Sequence, residues 1–265
     1  DLLVANQAFI PLNYSPALPN EPISKLKKFH SIKYSINHHI GISFMPYRAV
    51  VFDLDGTLVE SHIDYQKMGE EIRDLLNEMG MTEVIEDRRK AYQVIRGGAE
   101  TLLEYGLPRE NLDDTLVGLD NVMNNIELKA LPTISLKPHA HETIKTLYKD
   151  GYRLGITTRS HGEYAKQVLA KFKITDFFHG VVGRDETPYP KPDPRHLLST
   201  INLIDSTPRE TLYIGDTTTD LTTSKAAKVD FVGYWRDDEW ALRLIDGGCE
   251  KIIKNLYEIV ELARR

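Results

Sequence analysis

Cysteine is almost missing from this chain: Cys249 stands alone among 265 residues, so no internal disulfide can staple the fold. A lone thiol of this kind reads as a small apolar residue, buried or half-buried, and fits a reducing cytoplasm. Long apolar runs are missing too, and no stretch approaches the roughly 18 uncharged residues that a membrane-spanning helix needs. Positive charge is scarce, since 33 Lys and Arg against 39 Asp and Glu leave a net charge of −6. That balance excludes a broad basic field, so nucleic acid is not expected as a partner and phosphate recognition must be local. Residues 1–10 show no basic leader or clear cleavage site, and residues 1–44 contain no arginine, which disfavours secretion and a transit peptide. A cytoplasmic location is expected. The first methionine, Met45, precedes the first apolar strand. Residues 1–44, with Pro11, Pro16, Pro19 and Pro22, are therefore expected to be a disordered or non-native extension. The remainder is ordinary, with 41% hydrophobic and 27% charged residues, enough for one core domain and a smaller insertion.

Against that plain background stands the run Ala49-Val50-Val51-Phe52-Asp53-Leu54-Asp55-Gly56-Thr57-Leu58, an apolar strand that ends in two carboxylates and a glycine. Residues two apart in extended backbone point the same way, which aims Asp53 and Asp55 at one place. Two like charges held so close persist only with a cation between them or with one carboxyl protonated. Gly56 lets the chain turn sharply and frees nearby backbone groups to face a ligand. The competing reading is an ordinary Asp-Gly turn.

Three further segments have the same form. Tyr152-Arg153-Leu154-Gly155-Ile156-Thr157-Thr158-Arg159-Ser160 is a short strand running into hydroxyls and a cation, although a hydroxyl there also suits a helix N-cap. Pro188-Tyr189-Pro190-Lys191-Pro192-Asp193-Pro194 stiffens a loop around one lysine, which lowers the entropy lost in holding its ammonium near an anion. A solvated lysine in a proline-rich surface loop is the alternative. Thr211-Leu212-Tyr213-Ile214-Gly215-Asp216 is a buried strand ending in Gly-Asp, with Asp220 four residues on. Asp216 would cap the next helix and Asp220 would lie on its exposed face if neither were functional.

Each segment lies at the carboxyl end of an expected strand, where open α/β sheets bind their ligands. Strands are expected at 48–53, 152–157, 178–183, 211–215 and 229–233, as apolar runs of the parallel, doubly covered type. Helical patterns separate the later strands, and the stretch holding Ile252, Ile253, Leu256, Ile259, Val260 and Leu262 reads as an amphipathic terminal helix. This alternation predicts an α/β fold, a doubly wound three-layer Rossmann-like core around a parallel sheet. The interval 61–135 has no convincing strand; Met68, Ile72, Leu75, Leu76 and Met79 recur at helical spacing, as do Leu112, Leu116, Leu119, Val122, Met123 and Ile126. It is read as a small all-helical domain set into a core of 45–60 and 136–265.

The elements Asp-x-Asp-Gly-Thr, Lys-Pro and Gly-Asp-x-x-x-Asp, taken together, resemble the motifs of the haloacid dehalogenase-like hydrolase superfamily from about Tyr47 to the C-terminus. The insertion resembles the helical cap of that family, and only 33 positions between Thr158 and Lys191 leave no room for a cap at the alternative point. The resemblance implies that Asp53 is a nucleophile forming an aspartyl-phosphate and Asp55 the general acid/base, a role worth typically about 10² to 10⁴ in rate. It implies Mg2+ held by Asp53, the Asp55 carbonyl and Asp216 with help from Asp220, and a phosphoryl group bound by Thr158 and Lys191. Thr157 is the alternative to Thr158. Arg159 occupies a place where the family often has asparagine and is read as a phosphate contact or a structural ion pair; Arg96, before Gly97 and Gly98, is read as a cation over the substrate or part of a helix-end turn. His62, His139 and His141 have no matching ligand at metal spacing.

The resemblance is to phosphatases of phosphoglycolate phosphatase type acting on a small phosphorylated metabolite. Dehalogenases of the family lack the second aspartate, which argues against that chemistry here. Helical-cap sugar-phosphate mutases, the alternative, usually carry histidine ten residues after the acid/base aspartate, where this chain has Tyr65. A non-catalytic binding protein that kept the fold is the reading from another class.

Overall fold

The structure is a computed structural model and describes residues 47–81, 99 and 101–264. Expectations for residues 1–44, for most of the helical stretch near 84–103 and for Arg96 fall outside the described residues.

The core is a six-stranded sheet built from β1 (Ala49–Phe52), β4 (Arg153–Thr157), β5 (Gly180–Val182), β6 (Thr211–Gly215), β7 (Asp230–Tyr234) and β8 (Ile252–Ile253). All five pairings are parallel, in the order β5-β4-β1-β6-β7-β8. Alternate residues of β1 serve opposite faces, which is how a strand covered on both sides must behave. Val50 and Phe52 join the side chains of α3 (Ala140–Lys149), α4 (Gly162–Lys171) and α8 (Glu258–Ala263). Ala49 and Val51 meet Leu197 and Ile201 of α5 (Pro194–Leu203) and Ala227 of α6 (Thr218–Ala227). The three-layer expectation is borne out, and fully burying each large apolar side chain contributes about 1.5–3 kcal/mol.

After β1 the chain builds β4 and β5 on one side and returns to place β6 on the other. The carboxyl end of β1 is therefore the topological switch point, where the crossovers diverge and leave a crevice.

Between β1 and β4 lie β2 (Val59–Glu60), α1 (Tyr65–Glu78), α2 (Leu112–Ala130) and β3 (Ser135–Leu136). Met68, Ile72 and Leu76 bury one stripe of α1, and Leu119, Met123 and Ile126 one stripe of α2, so the helical spacing marked packing. The antiparallel pair β2–β3, unexpected from sequence, ties the entry and exit of this insertion together, and its strands are too short to show a period.

The terminal stretch requires a correction. Ile252–Ile253 is strand β8, paired beside β7, and only Glu258–Ala263 is helical. Its apolar spacing fits a helix, but the open edge of β7 supplies a ladder partner that local periodicity does not contain. The last named helix, α7 (Asp238–Asp246), lies between β7 and β8. Cys249 is buried against Leu221 and Leu244. No helix among the described residues is long and apolar enough to cross a membrane.

Candidate active site

Sheet pairing carries Asp53 to the switch point: β1 ends at Phe52, and the Asp53 amide still donates to the Ile214 carbonyl at 2.8 Å. Its carboxylate is buried and meets Lys191, whose Nζ lies 2.6 Å from Asp53 Oδ1, 2.6 Å from Asp220 Oδ1 and 3.0 Å from the Tyr213 hydroxyl. The proline-rich loop thus delivers its lysine to the interior, with Lys191 only 2% exposed. Asp193 then caps α5 through the Arg195 amide at 2.9 Å, with Pro194 in the first turn. One residue that sequence reasoning missed fixes this loop. His196, in the first turn of α5, accepts the Lys191 amide on Nδ1 at 3.0 Å and meets the Val182 carbonyl through Nε2 at 3.1 Å.

On the other side, Thr217 and Asp220 form the capping box of α6, with Thr217 accepting from the Asp220 amide and the Asp220 side chain accepting from the Thr217 amide. The cap position is therefore filled by Thr217, and Asp216 faces the crevice. Both Asp220 oxygens are engaged: Oδ1 by Lys191 and by the Tyr213 hydroxyl at 2.7 Å, Oδ2 by the amide and hydroxyl of Thr217. Asp220 anchors the lysine.

Asp53, Asp216 and Asp220 each offer an oxygen within 4.8 Å of the others. Three carboxylates around one ammonium leave an excess of negative charge in a dry place. Burial, with Asp220 alongside, pushes the Asp216 carboxyl up to about 7 despite the hydrogen bond from Thr57. Burial also pushes Asp53 well above the usual carboxylate range, although Lys191 opposes it. Burial would raise Asp220 as well, but Lys191, Thr217 and Tyr213 hold it below its ordinary value.

The donor set fits a hard divalent cation. Asp216 Oδ1 accepts from the Thr57 hydroxyl at 3.0 Å, whereas buried Oδ2 has no hydrogen-bond partner among the described residues; Arg236 Nη1 stands 3.8 Å away. An orphaned carboxylate oxygen is the atom a metal would satisfy. Gly56, at φ +90°, leaves open the space over that oxygen.

Asp55 lies beyond the regular strand, and its carboxylate has hydrogen-bond partners of its own. Its Oδ2 accepts from the Ser160 hydroxyl at 2.7 Å and its Oδ1 from the Tyr164 hydroxyl at 2.8 Å. In the sequence Ser160 is only the end of the segment that carries Thr158, and nothing there marks Tyr164 beyond the helical spacing it shares with Val168 and Leu169. Thr158 Oγ1 accepts from the Ser160 amide at 3.0 Å. Thr157 Oγ1 instead donates to Thr200 Oγ1 at 2.6 Å, inside the layer beneath α5. Arg159 is half-buried, and its carbonyl accepts from Arg184 Nη1 at 2.7 Å. His62, His139 and His141 are exposed.

A family model described as haloacid dehalogenase-like hydrolase matches residues 50–234. A phosphoglycolate phosphatase of Mesorhizobium japonicum is 30% identical, the match covering 69% of this chain and 80% of the relative. One of Aquifex aeolicus is 28% identical over 68% of this chain and 81% of the relative. Among solved structures, a hydrolase from Pseudomonas syringae superposes with a TM-score of 0.58 at 22% identity, over 81% of this chain and 96% of that one. CbbY from Rhodobacter sphaeroides, in complex with phosphate, gives 0.57 at 17% identity, over 80% and 96%. These two likenesses concern the fold.

Proposed function

This chain belongs to the haloacid dehalogenase-like hydrolases, and from that premise we propose that it is a magnesium-dependent phosphatase cleaving a small phosphate monoester of phosphoglycolate type through an aspartyl-phosphate. The family and its named relatives make the chain a phosphatase acting on phosphoric monoesters. The observation that carries the magnesium and aspartyl-phosphate reading is the buried Asp53 carboxylate with the Lys191 ammonium 2.6 Å away, and nearby the Asp216 oxygen that has no hydrogen-bond partner among the described residues.

Asp53, Asp216 and the carbonyl of Asp55 would hold Mg2+, with Asp220 acting behind them through Lys191. Bound there, the ion supplies charge neutralisation and Lewis acidity toward phosphoryl oxygens. Asp53 attacks phosphorus in line, splitting one difficult displacement into two easier ones. Lys191 balances the charge of Asp53 and of the equatorial oxygens, the main task in phosphoryl transfer. Thr158 is assigned the phosphoryl contact in preference to Thr157, whose hydroxyl is already committed to Thr200. Asp55 protonates the leaving oxygen and later takes a proton from the attacking water. Residues 61–135 act as a helical cap over the core of 45–60 and 136–265, excluding water and selecting the leaving group.

The test is phosphate release from a panel of monoesters, phosphoglycolate and sugar phosphates among them, by the intact chain and by Asp53→Asn. Turnover that needs Mg2+ and falls by orders of magnitude in the variant is expected. Equal turnover by the variant, or full activity in chelator, overturns the proposal.

A further inference from the structure

Resting on the phosphatase reading above, we propose that Tyr164 and Ser160 are positioning residues for the Asp55 carboxylate, a clamp that decides which of its oxygens carries the transferred proton. Ser160 closes the strand-end segment that carries Thr158, Tyr164 lies four residues beyond it, and both reach Asp55 from the stretch that begins just after β4. Tyr164 is fully buried in the first turn of α4, packed in the main apolar cluster, and its hydroxyl donates to Asp55 Oδ1 at 2.8 Å. A ring held so tightly cannot swing its hydroxyl aside, so Oδ1 keeps this donor throughout.

Ser160 meets the other oxygen on different terms. Its hydroxyl donates to Asp55 Oδ2 at 2.7 Å, while its amide donates to Thr158 Oγ1 and its carbonyl accepts from the Arg184 amide at 3.0 Å. The backbone is pinned on both sides, but a serine hydroxyl rotates and can give or accept a hydrogen bond. Oδ2 is therefore the oxygen that gains and loses the proton. In the first step an Asp53 oxygen bonds to phosphorus, the bond from phosphorus to the leaving oxygen breaks, and that oxygen takes both the electron pair and the proton from Asp55 Oδ2. In the second step a water oxygen bonds to phosphorus, its proton passes to Asp55 Oδ2, and the Asp53 oxygen departs with its electron pair. Tyr164 stays bonded to Oδ1 in both.

Leaving-group dependence separates this role from simple support of the fold. The quantity to measure is kcat/KM, which reports the steps up to departure of the leaving group, for an alkyl phosphate and for p-nitrophenyl phosphate. An alkoxide needs the proton and a nitrophenolate does not. For Tyr164→Phe, a fall of about tenfold with the alkyl ester and no more than about threefold with the aryl ester is expected, the loss of one hydrogen bond to a charged group. Ser160→Ala should show the same split, which keeps the test available if Tyr164→Phe fails to fold by thermal melting. Equal falls with both esters, or no fall with the alkyl ester, overturn the clamp while leaving the phosphatase reading in place. Turnover by the wild type that ignores Mg2+, or an active Asp53→Asn, overturns the reading and the clamp with it.

Discussion

Gly56 stands directly against Asp216: a Cβ built on the glycine would lie 2.3 Å from Asp216 Oδ2, the oxygen that has no hydrogen-bond partner among the described residues. One motif therefore keeps clear the oxygen proposed to hold a metal in another, 160 positions away in the chain. Gly56→Ala must push the carboxylate aside and also place a side chain at positive φ, which costs about 1–2 kcal/mol. The expected outcome is a folded protein whose Mg2+ affinity, measured by calorimetry, drops about 10–100-fold, the range seen when the surroundings of metal ligands are disturbed. Unchanged affinity would show that Asp216 Oδ2 is not a ligand.

That relationship also marks the limit of what the sequence carried. The central strands and their acidic ends were legible because a doubly covered parallel strand is one unbroken apolar run, and the run stops where Asp53 and Asp216 begin. The partners of those acids were not. Tyr164 shares its helix with Val168 and Leu169 and looks like core; only the approach of α4 to the loop after β1 sets its hydroxyl beside Asp55. A Gly-Asp at a strand end suits a helix cap equally well, and only the fold shows Thr217 in that position. Strand β8 was hidden for the same reason, since Ile252 and Ile253 fit a helical period and pair with β7 only through tertiary structure.

His196 should give folding a pH dependence. Burial, reinforced by the charge of Lys191, lowers its imidazole from 6.5 to about 4, so the folded protein holds it neutral with Nδ1 accepting from Lys191. The unfolded chain takes up the proton first as pH falls, so the contribution is complete above about pH 6.5 and is lost progressively toward pH 4. Between pH 7 and pH 5 the loss from this group is about 2 kcal/mol. Denaturant unfolding of wild type and His196→Gln at both pH values measures it, and the variant should show a correspondingly smaller dependence. Nitrogen NMR should find the neutral ring protonated on Nε2 at pH 5. A charged imidazole there would contradict the burial argument.

Arg184 predicts a coupling between the helical insertion and the sheet. It follows β5, yet its Nη1 donates to Glu127 Oε1 at 2.8 Å and its Nε to Asp120 Oδ1 at 3.0 Å, both on α2. Glu127 is buried, and burial raises its carboxyl against the opposing pull of Arg184. Arg184→Met leaves that carboxylate with the His161 amide, 2.9 Å from Oε2, as its remaining hydrogen-bond donor among the described residues. Breaking a buried pair from one side costs about 3–5 kcal/mol, because the surviving charge stays desolvated. Replacing both partners removes the stranded charge, so Arg184→Met with Glu127→Leu should be more stable than Arg184→Met alone. A double-mutant cycle by denaturant unfolding gives the coupling directly. Additive losses would mean that Glu127 reaches water or another donor once the arginine is gone, and that α2 is held to the sheet by apolar contacts and not by this pair.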